Sequence, residues 1–149
     1  MASFSYTEKY GDAAAGGGGD GSSGSPWTWA EALGASGLAA GERLNWKGNF
    51  TTAAAAQTFS NNGSVTSPMA LRGYSTTIGD LEGGVRTNDS GKLANEASFP
   101  VITLANTTGI GLTPPGFFEC SDMAFTCGTD ANWVIDHVND YAFFRDCKI

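Results

Sequence analysis

Apolar and polar residues alternate with a period of two over residues 2–10, where Phe4, Tyr6 and Tyr10 stand among Ser, Thr, Glu and Lys. That alternation predicts an N-terminal strand with one buried face. The next stretch, GDAAAGGGGDGSSGS at 11–25, carries no periodicity, and its glycines cost backbone entropy without supplying side chains to bury. A flexible Gly-rich loop is expected over 11–24. Trp29, Ala32 and Leu33 then fall at helical spacing, which predicts one short amphipathic helix within 25–38. Ser25 is its expected N-cap, Pro26 its first residue, Glu31 an early carboxylate and Gly37 its terminator. Trp29 and Trp46 are expected in the core beneath this helix.

Beyond residue 42 the chain is a series of short apolar runs separated by turn residues: RLNWKGNF, PMALRGYSTTIG, FPVITLAN, GFFECSDMAFT, NWVIDHV and YAFFRDCKI. No second helical stretch of ten or more residues follows. Trp46-Lys47-Gly48 and Leu71-Arg72-Gly73 repeat one order of residue types (73 − 48 = 25); Phe118 and Phe144 are spaced similarly (144 − 118 = 26), as are Cys120 and Cys147 (147 − 120 = 27). A repeat near 25 residues built from short strands is what stacked coils require, because only stacking buries a continuous core. Trp46 over Leu71 and Cys120 near Cys147 are the expected ladders. The competing arrangement is an antiparallel sandwich, for which Asn62-Gly63, inside a long polar loop, is the one strong hairpin signal.

The order SPWTWAEAL, AAGERLNWKGNF, SPMALRGY, FPVITLAN and YAFFRDCKI resembles the N-terminal cap and first coils of the pectate lyase-like superfamily. There a short helix precedes a GDxVxVKxGxY strand, matched by GERLNWKGNF, and coils end in an xxNCxI phrase, matched by FRDCKI. Phe50 stands where that first phrase has tyrosine. The resemblance covers residues 25–149. It implies an all-β fold, a right-handed parallel β-helix (solenoid) with one short N-terminal capping α-helix. The whole chain is then a single domain: a strand at 1–10, a Gly-rich loop at 11–24, the capping helix at 25–38, and about three to four coils over 43–149. The same superfamily holds polysaccharide lyases, hydrolases, epimerases and non-catalytic phage tail or virion proteins.

Composition narrows the partners. Eight Lys and Arg against fifteen Asp and Glu give a formal charge of −7. Scattered cations in an acidic chain argue against nucleic-acid backbones and anionic membrane surfaces. No run approaches the ~20 apolar residues of a membrane-spanning helix, and the start MASFSYTEKYG lacks the basic and apolar regions of a Sec signal peptide. An extracellular or virion location is expected without such a signal. GGGGDG lacks the GK[ST] of a phosphate loop. Cys120, Cys127 and Cys147 lack metal-ligand spacing and read as buried thiols, with a single disulfide as the alternative. Asn49, Asn62, Asn88 and Asn106 open N-x-[ST] sequons that an Asn/Thr-rich chain produces by composition.

Acidic residues crowd the last third: Asp122, Asp130, Asp136, Asp140 and Asp146. Asp136 and Asp140 flank His137, the only histidine, with Arg145 nearby; paired carboxylates with a basic group suit polysaccharide cleavage. In VIDHVND, however, alternation separates His137 from Asp136, and Asn139-Asp140 reads as a turn. These four residues are weak catalytic candidates, and calcium is the cofactor only if the chain is an enzyme; otherwise none is expected. Trp133, Tyr74 and Tyr141 are weak glycan-binding candidates, since sugar faces pack on aromatic rings. The favoured reading is a non-catalytic structural or surface-binding module, a phage virion or tail-associated protein or a glycan-facing adhesin. Its expected partner is a second copy or another virion or surface protein covering the C-terminal end of the solenoid. The alternative is a carbohydrate-active enzyme, a polysaccharide lyase or hydrolase, or an N-terminal fragment of one.

Overall fold

The computed structural model describes residues 4–52, 56–81, 98–105, 110–113, 116–127, 133–135 and 142–147. In chain order the elements are β1 (Thr7–Asp12), α1 (Trp29–Leu33), β2 (Glu42–Lys47), β3 (Phe50–Thr51), β4 (Gln57–Thr58), β5 (Met69–Tyr74) and β6 (Val101–Leu104). They continue with β7 (Ile110–Thr113), β8 (Phe118–Ser121), β9 (Ala124–Cys127), β10 (Trp133–Ile135) and β11 (Ala142–Arg145). Among the described residues, the paired strands are all parallel. They form a five-stranded sheet of order β1-β2-β5-β8-β11 and two three-stranded sheets, β10-β7-β4 and β3-β6-β9.

This corrects the expected right-handed parallel β-helix. The protein is β-rich and parallel, but its strands divide among three sheets and no closed solenoid is traced among the described residues. Nor is there a constant repeat. Neighbouring strands of the large sheet are offset by 35 residues (Thr7 to Glu42), 27 (Arg43 to Ala70), 49 (Met69 to Phe118) and 24 (Phe118 to Ala142). The predicted ladder is also displaced by two residues: Leu44 pairs with Leu71, and Trp46 pairs with Gly73.

The two glycines of the apparent repeat explain that displacement. Gly48 lies just past β2 with φ +83°, a left-handed conformation that glycine adopts at little cost. Gly73 lies inside β5, where any Cβ would overlap the Asp122 carbonyl oxygen. One glycine serves a turn and the other a close chain crossing, so aligning them on identity misplaces the register. A shift of two preserves which face each side chain takes, so the apolar pattern alone did not reveal it.

Leu44, Trp46, Met69, Leu71, Phe118 and Cys120 point from the large sheet into the core, where they meet Ile102, Leu104 and Phe125 from the β3-β6-β9 sheet. Helix α1 adds Trp29, Ala32 and Leu33 to this core. Trp29 packs edge-on against Trp46 with ring centroids 5.2 Å apart, so both tryptophans are core residues. Its N-cap is Thr28 rather than Ser25, because T-x-x-E at 28–31 forms a capping box: the Thr28 hydroxyl accepts from Glu31 N, and the Glu31 carboxylate accepts from Thr28 N. Ser25 is instead tied into a turn through Ser22, and the helix ends at Gly34, short of Gly37.

The Gly-rich stretch folds against the open edge of β1. Tyr10 N donates to Gly21 O at 2.9 Å, Trp27 N to Tyr10 O at 2.9 Å, and Asp12 N to Trp27 O at 3.0 Å. Gly21, with φ +74°, lies beneath the Trp27 ring, where a Cβ would come within 2.8 Å. The β1 edge is thereby closed by the chain's own backbone. At the opposite side of the sheet β11 is the outermost strand among the described residues, with Phe143 56% exposed. No described helix is long and apolar enough to cross a membrane.

Candidate functional site: the polar face of the large sheet

Alternation along the strands sends every second residue of the large sheet away from the core, and these residues line up across it. One row runs Glu8, Arg43, Ala70, Glu119, Phe143; the next runs Tyr10, Asn45, Arg72, Ser121, Arg145; a third joins Asp12, Lys47 and Tyr74. The first two rows are knitted together by hydrogen bonds. Arg43 is ion-paired to Glu8, with its Nε 3.2 Å from Glu8 Oε2. Asn45 Nδ2 donates to Glu8 Oε2 at 2.7 Å and to Lys9 O at 3.0 Å. Asn45 Oδ1 accepts from Arg72 Nε at 2.9 Å and from Nη2 at 2.7 Å.

Asn45 is 0% exposed and Arg72 7%, so the centre of the cluster is buried, while Glu8 and Arg43 at its margin are partly exposed. Burial works to raise the Glu8 carboxyl, but hydrogen bonds from Arg43 and Asn45 and the charges of Arg43 and Arg72 outweigh it and hold it below its ordinary value. Tyr6 lies across the same face. Its hydroxyl donates to Glu119 Oε2 at 2.9 Å, and the Arg43 guanidinium stacks 5.3 Å from its ring centroid. Burial, then the Glu119 hydrogen bond, push its phenol well above the ordinary range.

The third row opens onto a groove of about 620 Å³ at the C-terminal ends of β2 and β5. Tyr74 flanks it, with Lys47, Asn49, Thr76, Phe99 and Pro100 among its walls. Lys47 Nζ is 3.1 Å from Asp12 Oδ2, and that hydrogen bond and charge raise the ammonium above its usual value. Tyr74 is raised too, by burial first; Lys47 opposes this, while Asp12, Tyr10 and Asp80 reinforce it, so the phenol is a neutral O–H at physiological pH. Asp80 caps the following turn, accepting from the backbone of Ser75 at 3.0 Å and Thr76 at 2.7 Å. A partly buried ring, a neutral hydroxyl and a turn of Ser and Thr make a concave, largely uncharged surface.

Of the catalytic and glycan-binding candidates drawn from the sequence, Tyr74 alone lines this groove among the described residues. Asp136, His137, Asp140 and Tyr141 lie outside the described residues, as does the side chain of Trp133, whose backbone belongs to β10. Arg145 is exposed at the end of β11, opposite Ser121, and lies in the same row as Arg72. No group of three or more His, Cys, Asp or Glu positioned for a metal occurs among the described residues. The Glu8–Arg43–Asn45–Arg72 cluster escaped sequence reasoning. Its one signal was the interleaving of Arg, Asn and Lys with Leu and Trp in RLNWK, which marks a polar face but not what covers it.

Comparisons with protein-family models, with curated proteins and with solved structures returned no match to this chain. The likeness to pectate lyase-like proteins therefore stands on the phrases GERLNWKGNF and FRDCKI alone.

Proposed function

We propose that the protein is a non-catalytic surface-binding module of an extracellular or virion assembly, and that it holds a neutral glycan in the groove beside Tyr74. The observation carrying this reading is the Tyr74 ring at the mouth of a groove lined with hydroxyl, amide and apolar groups. Sugar faces pack on such rings, and the phenol O–H finds a hydroxyl partner. Neutral sugars are favoured because Lys47 is already paired with Asp12, Asp80 stands nearby, and the chain carries a formal −7 that repels uronates.

The test is titration of the protein with neutral gluco-, manno- and galacto-oligosaccharides and with oligogalacturonate, by calorimetry and tryptophan emission. Trp46 reports on the groove because its indole N–H donates to Gly48 O at 3.0 Å, and Gly48 lines the wall. Saturable binding of a neutral sugar, weakened about tenfold by Tyr74→Ala through loss of ~1.4 kcal/mol of stacking, is the expected result. Absence of binding across the neutral set removes the proposal. New reducing ends or unsaturated products would favour the carbohydrate-active enzyme instead.

A further inference from the structure

Cys120 and Cys147 converge from different parts of the chain. Cys120 is buried in β8, facing the core, and Cys147 follows β11 two residues after Arg145. Their sulfurs are 3.7 Å apart, with Cys147 Sγ also 3.4 Å from the Arg145 carbonyl oxygen. β8, which carries Cys120, and β11, which Cys147 follows, are hydrogen-bonded neighbours, with Cys120 opposite Phe144. A disulfide needs the sulfurs at about 2.05 Å. From 3.7 Å the sulfurs must approach by about 1.6 Å for the bond to form.

We propose that Cys120 and Cys147 form a thiol–disulfide exchange site that reacts with small disulfides of the glutathione class and locks the end of β11 onto β8. The two thiols differ in a way that assigns their order. Its side-chain hydrogen bond with Cys120 lowers Cys147; burial opposes this, the Met123 backbone assists, and Asp122 and Asp146 oppose. Burial first, then Cys147, raise Cys120 well above its ordinary value. Accessibility sets the order: Cys147 is only partly buried and meets an incoming disulfide first, attacking as its thiolate, whereas Cys120, 1% exposed, is shielded and resolves.

The chemistry balances without a further oxidant. Cys147 thiolate attacks one sulfur of oxidised glutathione, forming a mixed disulfide and releasing one glutathione thiolate. Cys120 then loses its proton to solvent and attacks Cys147 Sγ, forming the Cys120–Cys147 bond and expelling the second glutathione thiolate. Two cysteine thiols are oxidised, one glutathione disulfide is reduced to two thiols, and the two cysteine protons end on those thiols.

The test incubates the folded, reduced protein with oxidised glutathione and follows intact mass, then maps linked peptides without reduction. The expected product has lost two hydrogens, carries no glutathione, and joins the peptides of Cys120 and Cys147. Cys127→Ser should give the same product. Cys120→Ser should stop at a glutathione adduct on Cys147, and Cys147→Ser should leave Cys120 unreacted until the protein is unfolded in urea. A lasting adduct in the wild type, a bridge to Cys127, or no reaction short of unfolding would each overturn the proposal. All wild-type outcomes are read on one sample, so a poorly folding variant does not obscure the result.

Discussion

Truncating Asn45 to alanine tests whether the polar face of the large sheet holds three strands together. The side chain is fully buried and makes four hydrogen bonds, to Glu8 on β1, to the β1 backbone at Lys9, and twice to the Arg72 guanidinium on β5. Three of the four involve a charged partner, each worth about 1.5–3 kcal/mol when broken and not additive with its neighbours. The substitution also leaves a cavity beside a guanidinium that is only 7% exposed, with Glu8 Oε2 at 3.7 Å as an anion still near it. Because Arg72 keeps Glu8 beside it, the expected loss is about 2–3 kcal/mol, that of hydrogen bonds to charged groups and not of a whole broken ion pair. Against a total stability of ~5–15 kcal/mol, that is a large fraction. Urea unfolding followed by the emission of buried Trp29 and Trp46 measures it as a fall in the midpoint at constant slope. The double variant Asn45→Leu with Arg72→Met should recover part of the loss, because it removes the buried guanidinium, while Glu8 keeps its ion pair to Arg43. A loss below ~1 kcal/mol for Asn45→Ala would refute the reasoning, since a solvated arginine would then be the only consistent account.

Other residues give equally definite expectations. Gly73→Ala drives a methyl into the Asp122 carbonyl and within 2.9 Å of Pro100 Cδ, so it should cost about 1–3 kcal/mol or more, read as a fall in Tm. Glu8 has a folded-state pKa below its ordinary 4.5, so its contribution is fully present above that value and is lost as pH falls through the folded one; the urea-midpoint gap between wild type and Glu8→Gln should be constant near neutrality and close in acid. A gap that widens in acid would reverse the sign. Oxidation of Cys120 and Cys147 closes a loop whose ends are 27 residues apart and should stabilise the protein by about 3.5 kcal/mol in the chain-entropy picture, with Tm returning to its starting value on reduction.

The residues that build the core were legible in the chain, and the reason is local. Leu44 and Trp46 alternate with Arg43, Asn45 and Lys47, and period two assigns the buried face whatever the strand pairs with. The helix was legible as well, through Trp29, Ala32 and Leu33, although its start at Thr28 depended on a capping box that Ser25-Pro26 obscured. Tyr74 could be picked out as an aromatic near turn residues, but its groove needs Phe99 and Pro100, which only folding brings beside it.

What the amino-acid order determined by itself was strand content, facing and the short helix, because these depend on neighbours within a few residues. Register and sheet membership were decided by the tertiary structure. Leu44 meets Leu71 and Asn45 meets Arg72 in one β2–β5 register, in which Gly73 of β5 also leaves room for the Asp122 carbonyl. Neither pairing can be read from spacing, since the intervals between neighbouring strands range from 24 to 49 residues as the intervening chain visits the other two sheets. Close packing between distant segments, which local periodicity does not encode, set both the register and the polar face that follows from it.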